Sequence, residues 1–128
     1  MVDKAGAAFE IATTTIGLLR DGSSLRIPSQ SGPPARVDGF VVNAPVMTRD
    51  APHGGEMHPD GDELVLLLSG RVEIVLEEDG AERAVELAAG HGFVVPSGVW
   101  HRVRIHEPSQ LVFVTPGPGG THRPLART

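Results

Sequence analysis

The sequence predicts an all-β fold, a barrel or sandwich, in a single domain. Glycine (16) and proline (11) are spread through the 128 residues and leave no long stretch with a clean helical period. Short segments rich in Val, Leu and Ile recur instead, each bounded by turn residues. The composition, 40% hydrophobic and 21% charged, is that of a chain that buries one core of the size this length supports.

The elements follow in order. Residues 13–20 and 23–27 form a first hairpin across Asp21-Gly22, a pair suited to a two-residue turn with positive φ at both positions. Residues 29–34 are a loop. Residues 40–47 are a strand that Pro45 confines to an edge or marks with a bulge. After a loop at 49–55, strands at 64–68 and 71–76 flank a turn at Ser69-Gly70, and Glu78-Asp79-Gly80 turns the chain towards 84–87. Phe93-Val94-Val95 stops at Pro96-Ser97-Gly98, and strands at 99–105 and 111–114 close the series. The stretch from Thr115 to Gly120 is glycine-rich but is no phosphate loop. Its prolines lack the amide donors such a loop needs, and no helix pattern follows. It reads as a surface tail.

Several function classes drop out. The net charge is -5, the one lysine is Lys4, and the arginines are scattered, so no nucleic-acid footprint and no polybasic membrane anchor is present. The absence of cysteine excludes thiolate metal sites, cysteine nucleophiles and disulfide scaffolds, and is compatible with the cytosol. Glu10 and Thr13-Thr14-Thr15 interrupt any signal-peptide core in the first nineteen residues. The longest strongly apolar run, 64–68, is far too short to cross a bilayer. A soluble, cytoplasmic protein is expected. With Trp100, four Phe and no Tyr, the core must rest on Val, Leu, Ile and Ala. The 64–68 strand is apolar on both faces, whereas antiparallel sheets usually leave one face wet. Its outer face is covered by the N-terminal segment or a second subunit, or the strand is buried within one chain.

Two segments about forty residues apart carry the chemistry. The first runs from Gly54 through Glu56, Met57, His58 and Pro59 to Glu63, with Gly70 six residues beyond. The second is Gly90, five residues, Pro96-Ser97-Gly98, two residues, His101. Residues two apart in a strand share a face. Glu56 and His58 therefore point one way, and a turn at 59–61 lets Glu63 return to the same pocket, with Val65 and Leu67 continuing inward. His101 shares its face with Val103 and Ile105, while Trp100, Arg102 and Arg104 point away. Glu56, His58, Glu63 and His101 are thus four inward donors, a set suited to a divalent ion such as Fe, Mn, Ni or Zn. Two histidines and a carboxylate leave positions open for substrate or dioxygen. If both carboxylates bind, they neutralise the ion and weaken its pull on a bound water. The structural alternative is that an arginine supplies the cation a buried Glu63 needs.

These two segments resemble the paired motifs of the cupin superfamily. His58, Glu63 and Gly70 match the first motif in register; Gly90, Pro96, Gly98 and His101 match the second. The resemblance implies a double-stranded β-helix, or jelly-roll, barrel over the whole chain. Residues 1–38 would be N-terminal strands and arm, 39–115 the barrel core and 116–128 the tail. It carries metal-ligand roles to His58, Glu63 and His101. Two positions depart: Glu56 replaces the first histidine of the family's His-x-His, and Ile105 replaces the final asparagine. For Glu56 the resemblance carries only the position, so it is a fourth ligand, a catalytic base beside the metal, or a contact to bound ligand.

The remaining polar residues have blander readings. His53 is a solvated loop residue or a substitute for the missing histidine. His91, His106 and His122 are surface residues, Asp60 and Asp62 turn formers, and Trp100 packs between sheets or subunits. Cupins include dioxygenases, isomerases, epimerases, decarboxylases, regulators and storage proteins, and fold does not choose among them. No basic patch serves a nucleotide-sugar, no helix-turn-helix precedes the barrel, and one barrel is too few for storage. The resemblance then implies a small metalloenzyme, of dioxygenase or isomerase type, acting on an oxygen-rich metabolite. The alternative is a non-catalytic binding module or sensor for a small molecule, with or without metal. Cupin barrels often pair through their outer sheets, so a homodimer is expected.

Overall fold

In the computed structural model, residues 5–28, 30 and 35–125 are described, so the loop expected at 29–34 lies, apart from Gln30, outside the described residues, as do residues 1–4 and 126–128. The described chain forms ten strands: β1 (Thr15–Leu19), β2 (Ser24–Ile27), β3 (Gly39–Asn43), β4 (Val46–Met47), β5 (Gly55–Met57), β6 (Glu63–Glu78), β7 (Ala81–Ala88), β8 (Gly92–Val95), β9 (Trp100–Pro116) and β10 (Thr121–Arg123). All pairings are antiparallel. One path runs β10-β5-β9-β3-β1-β2, with β6 laid along β9 and carrying β7 and β8. The fold is all-β, as the sequence predicts. Among the described residues no helix is long and apolar enough to cross a membrane.

The backbone of the fold is the β6–β9 ribbon. Its pairing runs from Leu64↔Val114 to Glu77↔Trp100, with register shifts between Leu67 and Val72. Each long strand therefore serves two parts of the sheet. The start of β6 pairs with β8, and its end pairs with β7. This corrects the reading of Ser69-Gly70 as a hairpin turn: 64–68 and 71–76 are one strand, interrupted by a bulge. The strands expected at 99–105 and 111–114 are likewise one. Pattern alone misses this because a bulge and a turn use the same small residues. At Gly70, φ is 93°. A Cβ there would sit 2.6 Å from the Pro108 carbonyl oxygen and collide with the Ser109 hydroxyl, which accepts the Arg71 N–H at 3.1 Å.

Elsewhere the turns divide. Asp79 and Gly80 both take positive φ, as a tight two-residue hairpin requires. In the first hairpin only Gly22 does, and the Gly22 N–H donates to Leu19 O at 3.0 Å. That departs from the expected pair of positive angles. Pro45 splits the 40–47 segment into β3 and β4.

Inward and outward faces alternate as the sequence implies. Val72, Ile74 and Leu76 are fully buried and face Ile105, Val103 and His101 across the ribbon. Val65, Leu67, Leu87, Val95 and Leu111 complete the core. On the opposite face, Val94, Leu64, Val114, Val42 and Ile16 form one cross-strand row over β8, β6, β9, β3 and β1. Val94 is 53% exposed, and Leu68, Phe40 and Leu18 flank the row at 46%, 45% and 44%. Of the outer face of the 64–68 strand, Leu68 is exposed, while Leu64 and Leu66 are half-buried.

Gly70→Ala is expected to destabilise by about 1–3 kcal/mol, combining backbone strain with overlap against β9. Gly80→Ala, also at positive φ but with open space around its Cβ position, should cost only the backbone strain, about 1–2 kcal/mol, and so less than Gly70→Ala. Urea unfolding midpoints of the two variants check the order.

Candidate metal centre

Strand register brings the site together. His122 on β10, Glu56 on β5, His101 on β9 and Leu76 on β6 are successive cross-strand partners. Directly opposed residues of antiparallel strands project to one face, so this row turns three ionisable side chains inward beside a core leucine. Glu63 opens β6 on the face shared by Val65 and Leu67. His58 follows β5, two residues after Glu56. The turn at 96–98 clamps this segment: the Gly98 N–H donates to His58 O at 2.9 Å, the Ser97 hydroxyl to Pro59 O at 3.1 Å, and the Ser97 N–H to Asp62 Oδ1 at 2.9 Å. The two sequence motifs are thus interlocked, and the Asp62 side chain caps the 96–98 turn rather than its own. Asp60 accepts the Gly119 N–H and tethers the C-terminal segment.

His58, Glu63 and His101 are each 2% exposed, and the Glu56 side chain is 19% exposed. His101 Nε2 lies 3.0 Å from Glu63 Oε1 and 3.7 Å from Glu56 Oε1. His58 Nε2 lies 3.5 Å from Glu63 Oε2 and 3.5 Å from Glu56 Oε1. One donor atom from each residue falls within 4.8 Å of all the others. Neighbouring ligands on one ion at about 2.1 Å would sit about 3 Å apart, so the donors are grouped much as an ion would group them.

The surroundings fit the same role. Both ring nitrogens of His58 are buried without a hydrogen-bond partner, a costly state that a cation at Nε2 would relieve. His101 Nδ1 donates to Val99 O at 3.0 Å, leaving Nε2 to face the carboxylates. That is the outer hydrogen bond by which metal-binding histidines are oriented. The Thr115 hydroxyl donates to Glu63 Oε2 at 2.6 Å and fixes that carboxylate. Among the described residues the ion-pair partners of Glu63 are His58 and His101, not an arginine. Arg36 contacts Glu56 instead, at 3.7 Å.

Charges within the group are strongly coupled. Burial alone would lower the proton affinity of both histidines, but Glu56 and Glu63 outweigh it. His101 is raised to about 10, and His58 is raised too. Burial alone would raise both carboxyls, but His101 and His58 hold Glu56 and Glu63 below their ordinary range. Without an ion the four side chains compensate one another charge for charge.

Two residues read from sequence as solvent-facing join the pocket wall. His53 and His122 line the cavity beside Glu56, in edge-to-face contact at 5.2 Å between ring centres. His122 Nε2 is 2.9 Å from Glu56 Oε2, close but not aligned as a hydrogen bond. His122 keeps a side chain 26% exposed, but residues 121–123 pair with β5 as β10 and bring it against Glu56, which the surface reading did not foresee. His53, Glu56 and His122 are also near enough to share an ion. However, His53 Nδ1 accepts the Gly55 N–H at 3.1 Å. Its remaining proton then sits on Nε2, which makes the ring a donor rather than a ligand. Burial, opposed by Glu56, lowers the proton affinity of His53. His106 is exposed and 2.7 Å from Glu73, and His91 is exposed, as expected. Trp100 carries the Arg123 guanidinium over its ring at 4.3 Å.

Arg36 escaped the sequence reading, and Thr115, read as the start of a surface tail, is instead buried near the end of β9. Thr115 had a signal, since it shares a face with Leu111 and Phe113 and is the one polar member of that inward series. Arg36 had none.

Residues 47–116, more than half of the chain, match the family model of the cupin domain, Cupin_2. The chain belongs to this family, and its curled sheet is a cupin jelly-roll barrel. Among solved structures it is similar to oxalate decarboxylase from Bacillus subtilis, a protein with Mn(II) centres. The TM-score there is 0.56 and the identity 19%, over 65% of this chain and 23% of that one. It also resembles a cupin-2 domain protein from Shewanella frigidimarina, with TM-score 0.52 and 20% identity over 65% of this chain and 76% of the other. A hydroquinone 1,2-dioxygenase complexed with Cd2+ and 4-hydroxybenzonitrile gives TM-score 0.50 and 18% identity, over 62% and 58% of the two chains. This chain thus spans about a quarter of the decarboxylase's length. A comparison with curated proteins finds no match.

The charge coupling predicts a stability profile for chelator-treated protein. The histidines' raised values mean that, from their ordinary 6.5 up to about 10, the folded state holds more protons than the unfolded one. Stability therefore falls as pH rises through that range. The carboxyls' lowered values mean that below their ordinary 4.5 the unfolded state takes up more protons, so stability also falls towards acid. Melting temperatures should peak between pH 4.5 and 6.5. Adding a divalent ion should reverse the alkaline loss, because metal binding gains as the histidines give up their protons. A flat profile from 6.5 towards 10 would contradict the coupling.

Proposed function

We propose that this cupin is a metalloprotein whose centre consists of Glu56, His58, Glu63 and His101, and that it acts on a small oxygen-bearing molecule as an enzyme of dioxygenase or isomerase type. The observation that carries the reading is the buried His58, with both ring nitrogens unbonded, among two carboxylates and a second histidine already oriented by Val99. The donor set suits Fe, Mn, Ni or Zn. A bound ion would supply Lewis acidity or dioxygen activation.

The chain's own residues divide the remaining work. Glu63, held by Thr115, and the two histidines form the buried floor. Glu56 is the most exposed of the four and borders the cavity, which places its carboxylate within reach of a bound molecule as well as of the centre. If Glu56 is not a ligand, it is the residue we assign to proton transfer. The close contacts of His58 and His101 with Glu56 and Glu63 favour a second reading, a metal-free binding module in which protonated histidines would balance the two glutamates without an ion. Metal content decides between them. Elemental mass spectrometry of untagged protein should find near-stoichiometric metal, lost in His101→Ala, and the Glu56→Ala value reports whether Glu56 is a ligand. A wild type that stays empty after incubation with Fe, Mn, Ni and Zn moves the assignment to the metal-free module.

We further propose that the protein is a homodimer through the uncharged row Val94–Leu64–Val114–Val42–Ile16. This apolar row crosses five adjacent strands and ends at Arg26 on β2, and an apolar face of that extent suits a second copy. Sedimentation at micromolar concentration should show a dimer for the wild type and a monomer for Leu68→Lys/Val94→Lys. Both substituted side chains are exposed in the single chain, so the core is not disturbed.

A further inference from the structure

The cavity that opens onto Glu56, Glu63 and His101 measures about 630 Å³, a size typical of sites for small organic molecules. Its wall is mixed: Met47, Val103 and Phe113 supply apolar surface, and Asn43, His53 and His122 supply further polar groups. Three arginines line it. Two are committed elsewhere: Arg102 donates to Glu82 at 2.6 Å, and Arg123 is paired with Glu77 and stacked on Trp100.

Arg36 differs. Its side chain is only 15% exposed, and among the described residues it makes no hydrogen bond and one ion pair, the 3.7 Å contact with Glu56 Oε2. Glu56 turns its other oxygen to His58 and His101. A guanidinium has five donors in a planar fork that matches a carboxylate. Leaving it so weakly engaged inside a cavity is unusual for a structural arginine and ordinary for one that receives a ligand.

The charge count agrees. With a divalent ion in the centre, Glu56 and Glu63 are already balanced, and the Arg102 and Arg123 charges are cancelled by Glu82 and Glu77. One positive charge, that of Arg36, is left over.

We propose that Arg36 binds the carboxylate of a small organic acid, and that the ligand of this cavity is a monocarboxylate with an apolar body lying against Met47, Val103 and Phe113. The inference rests on the metal-centre reading for its charge count but not for the unengaged guanidinium.

Titration calorimetry with matched acid and amide probes tests it: benzoate against benzamide, and hexanoate against hexanamide, on the full chain. Metal content is measured in the same samples. Wild type should bind at least one acid about tenfold or more tighter than its amide, the preference expected of a charge-assisted contact. Arg36→Gln should abolish that preference. Arg36→Lys, which keeps the charge but loses the fork, should fall between, and it carries the test if the glutamine variant does not fold. Amides that bind wild type as well as acids, a preference that survives in Arg36→Gln, or no acid binding at millimolar concentration would each overturn the proposal. An Arg36-dependent acid preference in protein that proves metal-free would sink the metal centre and leave this inference standing.

Discussion

A carboxylate at the bottom of an apolar barrel constrains everything around it. Glu63 is 2% exposed and begins a strand whose next inward residues are Val65 and Leu67. An ion buried alone in such a place costs several kcal/mol. The surrounding chain answers with His101 from β9, His58 from the end of β5 and the Thr115 hydroxyl from the far end of β9. One strand therefore touches Glu63 twice, fourteen residues apart in sequence. It can do so only because β9 and β6 curl together.

That curl depends on the bulged ribbon. A straight antiparallel pair of this length would hold the start and end of β9 roughly 50 Å apart. The register shifts around Gly70 bend the ribbon, and the close approach of Ser109 and Pro108 to that glycine leaves no room for a side chain. The second lock is the turn at 96–98, whose amides and hydroxyl grip the backbone of 58–59 and the side chain of Asp62. Proline, serine and glycine at these three positions are thus part of the site's foundation, although none reaches its chemistry.

Much of this was legible before any coordinates. Period-two alternation placed Glu63, Val65 and Leu67 on one face and His101, Val103 and Ile105 on another, and the structure keeps both assignments. Motif spacing identified the four residues that converge. What stayed hidden were features that local pattern does not encode. A bulge at Ser69-Gly70 and a hairpin turn look alike in sequence, because each needs a small residue with positive φ. β10 is three residues long with no apolar alternation, so His122 could not be seen as Glu56's neighbour. Arg36 lies between strands, where no periodicity says which way a side chain points. Pairing of β6 with β9 decided the first case and pairing of β10 with β5 the second, both between segments far apart in sequence.

The four donors do not rest on equal foundations. His58, Glu63 and His101 are anchored in the long ribbon and the interlocked turns. Glu56 stands on a three-residue strand whose outer neighbour is another three-residue strand. Short ladders at an edge are the cheapest parts of a protein to open. Any loosening of β10 from β5 would shift Glu56 and His122 together, since each is the other's cross-strand partner. The pocket is thus built as a stiff three-point seat with one compliant arm, and that arm is also part of its outer wall.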